Sequence, residues 1–173
     1  VGTIMIPVVE TERLRLRGWE ERDFPAYMAF RADPDSQAYV GPVMTQSQAW
    51  LRFCADLGVW TLRGYSIFAI AEKTSDEAVG YTGIWYPLSF DEPELSWSLF
   101  PDRRGRGYAT EAAGAARSWA YETLDLPPLM SLIDPDNLAS KAVAERLGAV
   151  FEKEYEMDGW LRHLYRHPKP SNE

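Results

Sequence analysis

Phe100-Pro101-Asp102-Arg103-Arg104-Gly105-Arg106-Gly107-Tyr108-Ala109-Thr110 joins an extended, aromatic-rich segment to an alanine-rich helical one. The glycines can take positive φ and let the backbone approach a ligand closely. The helix that follows begins with unpaired amides and the positive end of its dipole. Arg103, Arg104 and Arg106 add three fixed positive charges. Together these features point to a bound phosphate or pyrophosphate. The competing reading is a solvated arginine loop that the glycines merely turn. Two other phosphate motifs are excluded. A Walker loop needs Lys-Ser/Thr after its last glycine, whereas Gly107 precedes Tyr108-Ala109, and a dinucleotide fingerprint needs a small residue at Thr110 and more downstream chain.

Upstream of the turn, Arg13–Arg17 alternates leucine with arginine, as a half-buried strand does. Asp23 is expected to cap a helix through Phe24, Tyr27, Met28 and Arg31 that Asp33-Pro34 stops. Thr45-Gln46-Ser47-Gln48 has capping-box form and opens a second helix ending at Gly58. Three extended stretches, Tyr65–Ala71, Val79–Tyr86 and Glu94–Phe100, read as an antiparallel meander.

Downstream, Ala109, Ala112, Ala113, Ala116 and Ala120 share a helix face small enough to lie close on a sheet. A short strand within Leu126–Asp134 precedes a helix capped by Asn137 and ended by Gly148. Val150–Glu156 and Leu161–His167 pair as a hairpin across Asp158-Gly159. The reading is one domain over residues 1–173, an α/β (α+β) fold with a mixed, mostly antiparallel central sheet of about seven strands flanked by helices.

With 26 acidic against 18 basic side chains and net charge -8, the chain is expected to bind neither nucleic acid nor an anionic membrane. Its opening residues, Val1 to Pro7, lack the charged region and cleavage site of a signal peptide. One cysteine, Cys54, and two histidines, His163 and His167, offer neither a disulfide framework nor a zinc spacing. No metal is expected, and a reducing cytoplasm fits best. Cys54 is read as packing on an amphipathic helix, and the two histidines share a strand face.

Four segments in order resemble the GNAT superfamily of acyl-CoA-dependent N-acyltransferases, within it the ribosomal-protein N-terminal acetyltransferase-like group. They are Thr11–Arg17, Glu94–Leu99, Gly105–Ala112 and Asn137–Gly148. The resemblance implies a splayed cleft and acetyl-CoA as acyl donor, with its pyrophosphate on the turn from Arg103 and Arg104 through Gly105, Arg106 and Gly107 to Tyr108 and Ala109. Its pantetheine would run along Leu99 and Phe100, touching Asn137 and Ser140. The acceptor would be an amine, on a protein N-terminus or a small molecule. The alternative is a non-catalytic acyl-CoA sensor or interaction module, and a homodimer is compatible with either.

Amine attack on a thioester needs a base, a polarised carbonyl and a proton for the thiolate. Glu94 is the candidate base, with a solvated strand-end carboxylate as the bland reading. The family's acid tyrosine is replaced by Ala144, leaving Ser140 and Tyr108 as candidate donors and a Leu99 or Phe100 amide as candidate oxyanion partner. Tyr39, Trp85 and Trp97, with Tyr86 and Trp50, are read as an acceptor pocket, although strand aromatics are more often core. Glu111 is expected to fix Arg103 or a neighbouring loop.

Overall fold

Apolar runs of strand length build the centre of the sheet, and helices cover both its faces. The computed structural model describes residues 5–157 and 159–170; Asp158, at the expected hairpin turn, and the first four residues lie outside them. The strands are β1 (Val9–Glu10), β2 (Leu14–Arg17), β3 (Ile67–Glu72), β4 (Ala78–Trp85), β5 (Glu94–Leu99), β6 (Met130–Ile133), β7 (Val150–Met157) and β8 (Trp160–Arg166). The helices are α1 (Phe24–Ala32), α2 (Pro34–Gln37), α3 (Gln46–Arg63), α4 (Tyr108–Leu124) and α5 (Leu138–Arg146). The sheet runs β1-β2-β3-β4-β5-β6-β8-β7. Every pairing is antiparallel except β5 with β6, which are parallel and share a single register pair, Glu94 with Met130.

One face is covered by α4, whose Ala112, Ala113, Ala116 and Ala120 pack on Leu14, Phe68, Ile70, Leu95 and Leu99. Alanine lets the helix axis come close to the strands, as the sequence predicts. The other face carries α1 and α3, where Tyr27, Phe30 and Phe53 meet Ile67, Ala69, Tyr81 and Phe100. Along β5 the side chains divide accordingly: Leu95, Trp97 and Leu99 face α4, while Glu94, Ser96 and Ser98 face the α1/α3 side.

Several expectations shift. The sheet gains the two-residue edge strand β1, too short to leave a periodic signal. Helix α3 passes through Gly58 to a left-handed cap at Gly64, φ 73. One helical glycine costs only about 1 kcal/mol, and the helix continues to Trp60, whose indole N–H donates to the Ile67 carbonyl (3.0 Å). Cys54 lies on the exposed side of that helix. Asp33-Pro34 ends α1 at Ala32 as expected, and Pro34 also starts α2, which Asp33 caps by accepting from the Ser36 amide (3.0 Å).

Asp23 makes no side-chain cap for α1. Its carboxylate instead takes two bonds from the Arg17 guanidinium (2.7 and 3.0 Å) and one from the Glu20 amide (2.9 Å). Both partners of this ion pair are about 5% exposed. It ties β2 to the start of α1. Arg17 keeps Asp76 (3.4 Å) and Glu20 (3.8 Å) as counter-charges but loses its buried bidentate partner, so Asp23→Ala is expected to lower unfolding free energy by about 1.5–3 kcal/mol. The midpoint of urea denaturation measures this, and a loss under about 1 kcal/mol would show the pair to be well solvated.

Candidate functional site

Strand β5 ends at Leu99, and a single 3-10 turn, Pro101–Arg103, leads into the arginine-glycine turn. Gly105 (φ 75) and Gly107 (φ 77) occupy the left-handed region that L side chains rarely adopt. Gly107 is the N-cap of α4 and has no side chain to satisfy the first-turn amides. The guanidinium of Arg103 contacts Glu72 (3.3 Å) and Glu77 (3.1 Å), and the Tyr108 hydroxyl donates to Glu72 (3.0 Å). Arg106 lies 3.8 Å from the same Glu72, while Arg104 donates Nε to the Leu99 carbonyl (3.3 Å).

The turn is held from outside by Arg13. Its Nη1 donates to the Arg106 carbonyl (2.9 Å), its Nε donates to Glu111 (2.7 Å), and its guanidinium lies 4.7 Å from the Tyr108 ring centre. Glu111 therefore pairs with Arg13 and not with Arg103. It also accepts from the Thr11 hydroxyl (2.6 Å) and the Arg13 amide (2.9 Å). Burial pushes the Glu111 carboxyl up, but these donors outweigh it and hold the carboxyl below its ordinary value. The β1–β2 connection and the helix start are thus one unit.

Where β5 and β6 part, a cavity of about 390 Å³ opens. It brings together Glu94, Ser140, Asn137, Tyr39, Trp85 and Trp97, all read from the sequence as site residues. The reading missed Arg31, Arg52, Ser131 and Arg162, which line the same cavity. Trp50 and Tyr86 do not line it: Trp50 packs edge-on against Phe24, and the Tyr86 hydroxyl donates to the Asp91 carbonyl (3.3 Å). Trp97 sits on the α4 face of β5, opposite Glu94, against the core group of Ile133, Ala144, Ala149 and Tyr165.

Glu94 accepts from the Leu132 amide across the gap (2.9 Å). Desolvation pushes its carboxyl up to about 7, against the pull of that amide and of Arg162. Beside it, the Ser131 hydroxyl donates to the Leu95 carbonyl (2.6 Å) and bonds His167 Nε2 (2.9 Å). Because that hydroxyl hydrogen points to Leu95, His167 is the donor and carries its proton on Nε2. Burial first, then Arg117 and Arg166, lower the His167 pKa to about 4, so the ring is neutral. His163 does not join it and packs on Phe151 (5.1 Å between rings).

Two expected donors are engaged elsewhere. The Phe100 amide donates to the Val79 carbonyl (2.9 Å), and the Tyr108 hydroxyl is held by Glu72. Since partners alternate along an antiparallel pair, the amides of Trp97 and Leu99 turn the other way, into the gap. Asn137 Oδ1 caps α5 by accepting from the Ser140 amide (3.1 Å). Ala144 is fully buried. Among the described residues no group of His, Cys, Asp and Glu is arranged to hold a metal, and no helix is long and apolar enough to cross a membrane.

A family model described as "Acetyltransferase (GNAT) domain" matches residues 13–150. A crystal structure of an acetyltransferase from Agrobacterium tumefaciens str. C58 is 39% identical, with a TM-score of 0.87 and 98% of each chain covered. The curated protein YkkB of Bacillus subtilis is 29% identical over 154 residues, 83% of this chain and 85% of its own. A complex of RimL, a ribosomal L7/L12 α-N-protein acetyltransferase, with coenzyme A shares the fold at TM-score 0.77 and 18% identity, covering 93% of this chain and 97% of its own.

The raised Glu94 pKa has a consequence for stability. Between the ordinary 4.5 and about 7 the folded chain binds more protons than the unfolded one, so this carboxyl costs stability as pH rises through that window. Glutamine keeps an acceptor for the Leu132 amide and cannot ionise. Glu94→Gln is therefore expected to raise the melting temperature relative to wild type more at pH 8 than at pH 5. Equal differences at both values would return Glu94 to an ordinary carboxylate.

Proposed function

Because the chain belongs to the GNAT family of acetyltransferases, enzymes that take acetyl from acetyl-CoA, we propose that it N-acetylates a primary amine by direct attack in a ternary complex. The observation that carries this reading is the place of Glu94, at the apex of the gap between β5 and β6 with its carboxyl near neutrality. The turn that offers an anion site lies at the other end of the same strand. Five residue steps separate Glu94 from Leu99, about 17 Å of extended chain along which a pantetheine arm can lie.

Acetyl-CoA supplies the electrophilic thioester carbonyl. On our reading the backbone from Gly105 to Tyr108 and the uncapped start of α4 bind its diphosphate, aided by Arg104. The Trp97 and Leu99 amides donate to the carbonyl oxygen as charge develops on it. Asn137 and Ser140 form the opposite wall, and Tyr39 and Trp85 border the acceptor. Glu94 takes the proton that the attacking nitrogen loses as the N–C bond forms and the C–S bond breaks. The thiolate, whose conjugate acid has a pKa of about 8.5, leaves without an acid at Ala144 and is protonated by water.

Acceptor basicity favours an α-amine: with a pKa near ~7.8 about a tenth of it is neutral at pH 7, against a few molecules in ten thousand for a lysine-like amine at ~10.4. RimL, which shares the fold, is an α-N-protein acetyltransferase and so works on an acceptor of that class. We read the whole of residues 1–173 as one such domain working in the cytoplasm, where its single cysteine stays reduced.

Two outcomes are expected. With rates expressed per neutral amine, kcat/KM of the wild type rises through about pH 7, where the Glu94 carboxyl ionises. Glu94→Gln lowers kcat/KM by about 100-fold and removes that limb; an unchanged profile would dismiss Glu94 as the base. Second, Gly107→Val places a side chain where φ is 77 and Arg13 Nη2 would be 3.4 Å from the new Cβ. Calorimetry should show CoA affinity reduced about tenfold or more with the melting curve still cooperative. Unaltered affinity would remove the turn from the binding site.

A further inference from the structure

Arg31, on α1, is 4% exposed and lines the cavity that holds Glu94. Its guanidinium lies among the rings of Tyr27, Phe30 and Tyr81, at 5.1, 5.5 and 5.2 Å from their centres. Among the described residues its Nε has no hydrogen-bond partner, and its Nη1 reaches Gln37 Oε1 only at 3.5 Å. Among the described residues no carboxylate comes within ion-pair distance of it. Asp56, which attracts it from farther off, bonds Arg52 Nε instead (3.0 Å). The other two cations of the cavity have acids of their own: Arg52 has Asp56, and Arg162 has Asp134 (2.9 Å).

A buried guanidinium with open donors and no counter-charge is costly, and three ring faces offset only part of that cost. A ligand anion would complete it. We propose that the acceptor amine carries an oxyanion, a carboxylate or a phosphate, and that Arg31 binds this group while the amine faces Glu94. The proposal rests on the acetyl-transfer reading above and narrows its substrate class.

Two physical consequences support it. The guanidinium favours the neutral form of a nearby amine, the form that attacks. It also disfavours acceptors with further cationic groups, so polyamines are poor substrates even though the chain as a whole carries a net charge of -8. The local field of the cavity therefore opposes the global one. Arg31 suits an oxyanion in either guise because its planar donors match both carboxylate and phosphate.

The test uses the wild-type chain, acetyl-CoA and thiol release, with rates expressed per neutral amine. Di- and tripeptides are compared as free acids and as C-terminal amides, and phosphoethanolamine is compared with ethanolamine. The anionic member of at least one pair is expected to show a kcat/KM about 10- to 100-fold higher; whichever pair shows it identifies the oxyanion. Arg31→Met removes the preference and Arg31→Lys keeps part of it, with CoA affinity by calorimetry unchanged as the measure of an intact fold. Equal rates within every pair, or a preference for spermidine, would overturn the proposal and leave acetyl transfer standing. No thiol release with any amine while CoA still binds would instead remove the acetyl-transfer reading, and this proposal with it.

Discussion

Two side-chain hydrogen bonds decide where β5 and β6 part. The Leu132 amide and the Leu95 carbonyl both face the gap and would be partners in a continued parallel ladder. The carboxylate of Glu94 takes the first and the hydroxyl of Ser131 takes the second. With its next rung satisfied on both sides, the ladder stops after a single residue pair. Buried backbone polar groups rarely go unpaired, so a sheet can open in its middle only if something replaces the lost bonds. Here the replacement also places a carboxyl of raised pKa at the mouth of the opening. His167, neutral and buried, holds the serine from behind.

Charge is distributed to suit this arrangement. The surface is acidic overall, yet three arginines line the cavity and three more crowd the turn before α4. Most of these cations have an acid assigned to them at close range. Arg31 and Arg104 are the exceptions, and of the two only Arg31 is buried, which is why its surroundings carry more meaning than the count of charges does.

The sequence made the framework legible because its signals are local. Extended stretches located every strand but β1 closely, the alanine stripe predicted how α4 packs, and the glycines of the turn took the positive φ expected of them. Tyr39, Trp85, Glu94, Asn137 and Ser140, distant along the chain, line one cavity. What escaped was set by tertiary contact. Glu111 could be seen to hold a loop, but only the β1–β2 connection, 100 residues earlier at Thr11, shows which one. Arg31 read as one more position on a helix, since a lone arginine gives no sign in sequence that it will be buried without an acid. Asp23 looked like a helix cap because caps are local, and Arg17 outcompeted the helix for it.

Glu72, at the end of β3, bears on the order of events when the turn meets a ligand. It gathers Arg103, Arg106 and Tyr108, so like charges that would otherwise push one another apart are already neighbours of an anion. Most of the freedom of that loop is therefore surrendered while the chain folds and not when an anion arrives. On the reading proposed above, an incoming diphosphate meets a socket whose walls already stand. Encounters with such a site succeed or fail on fit at first contact, without waiting for a loop to find its shape.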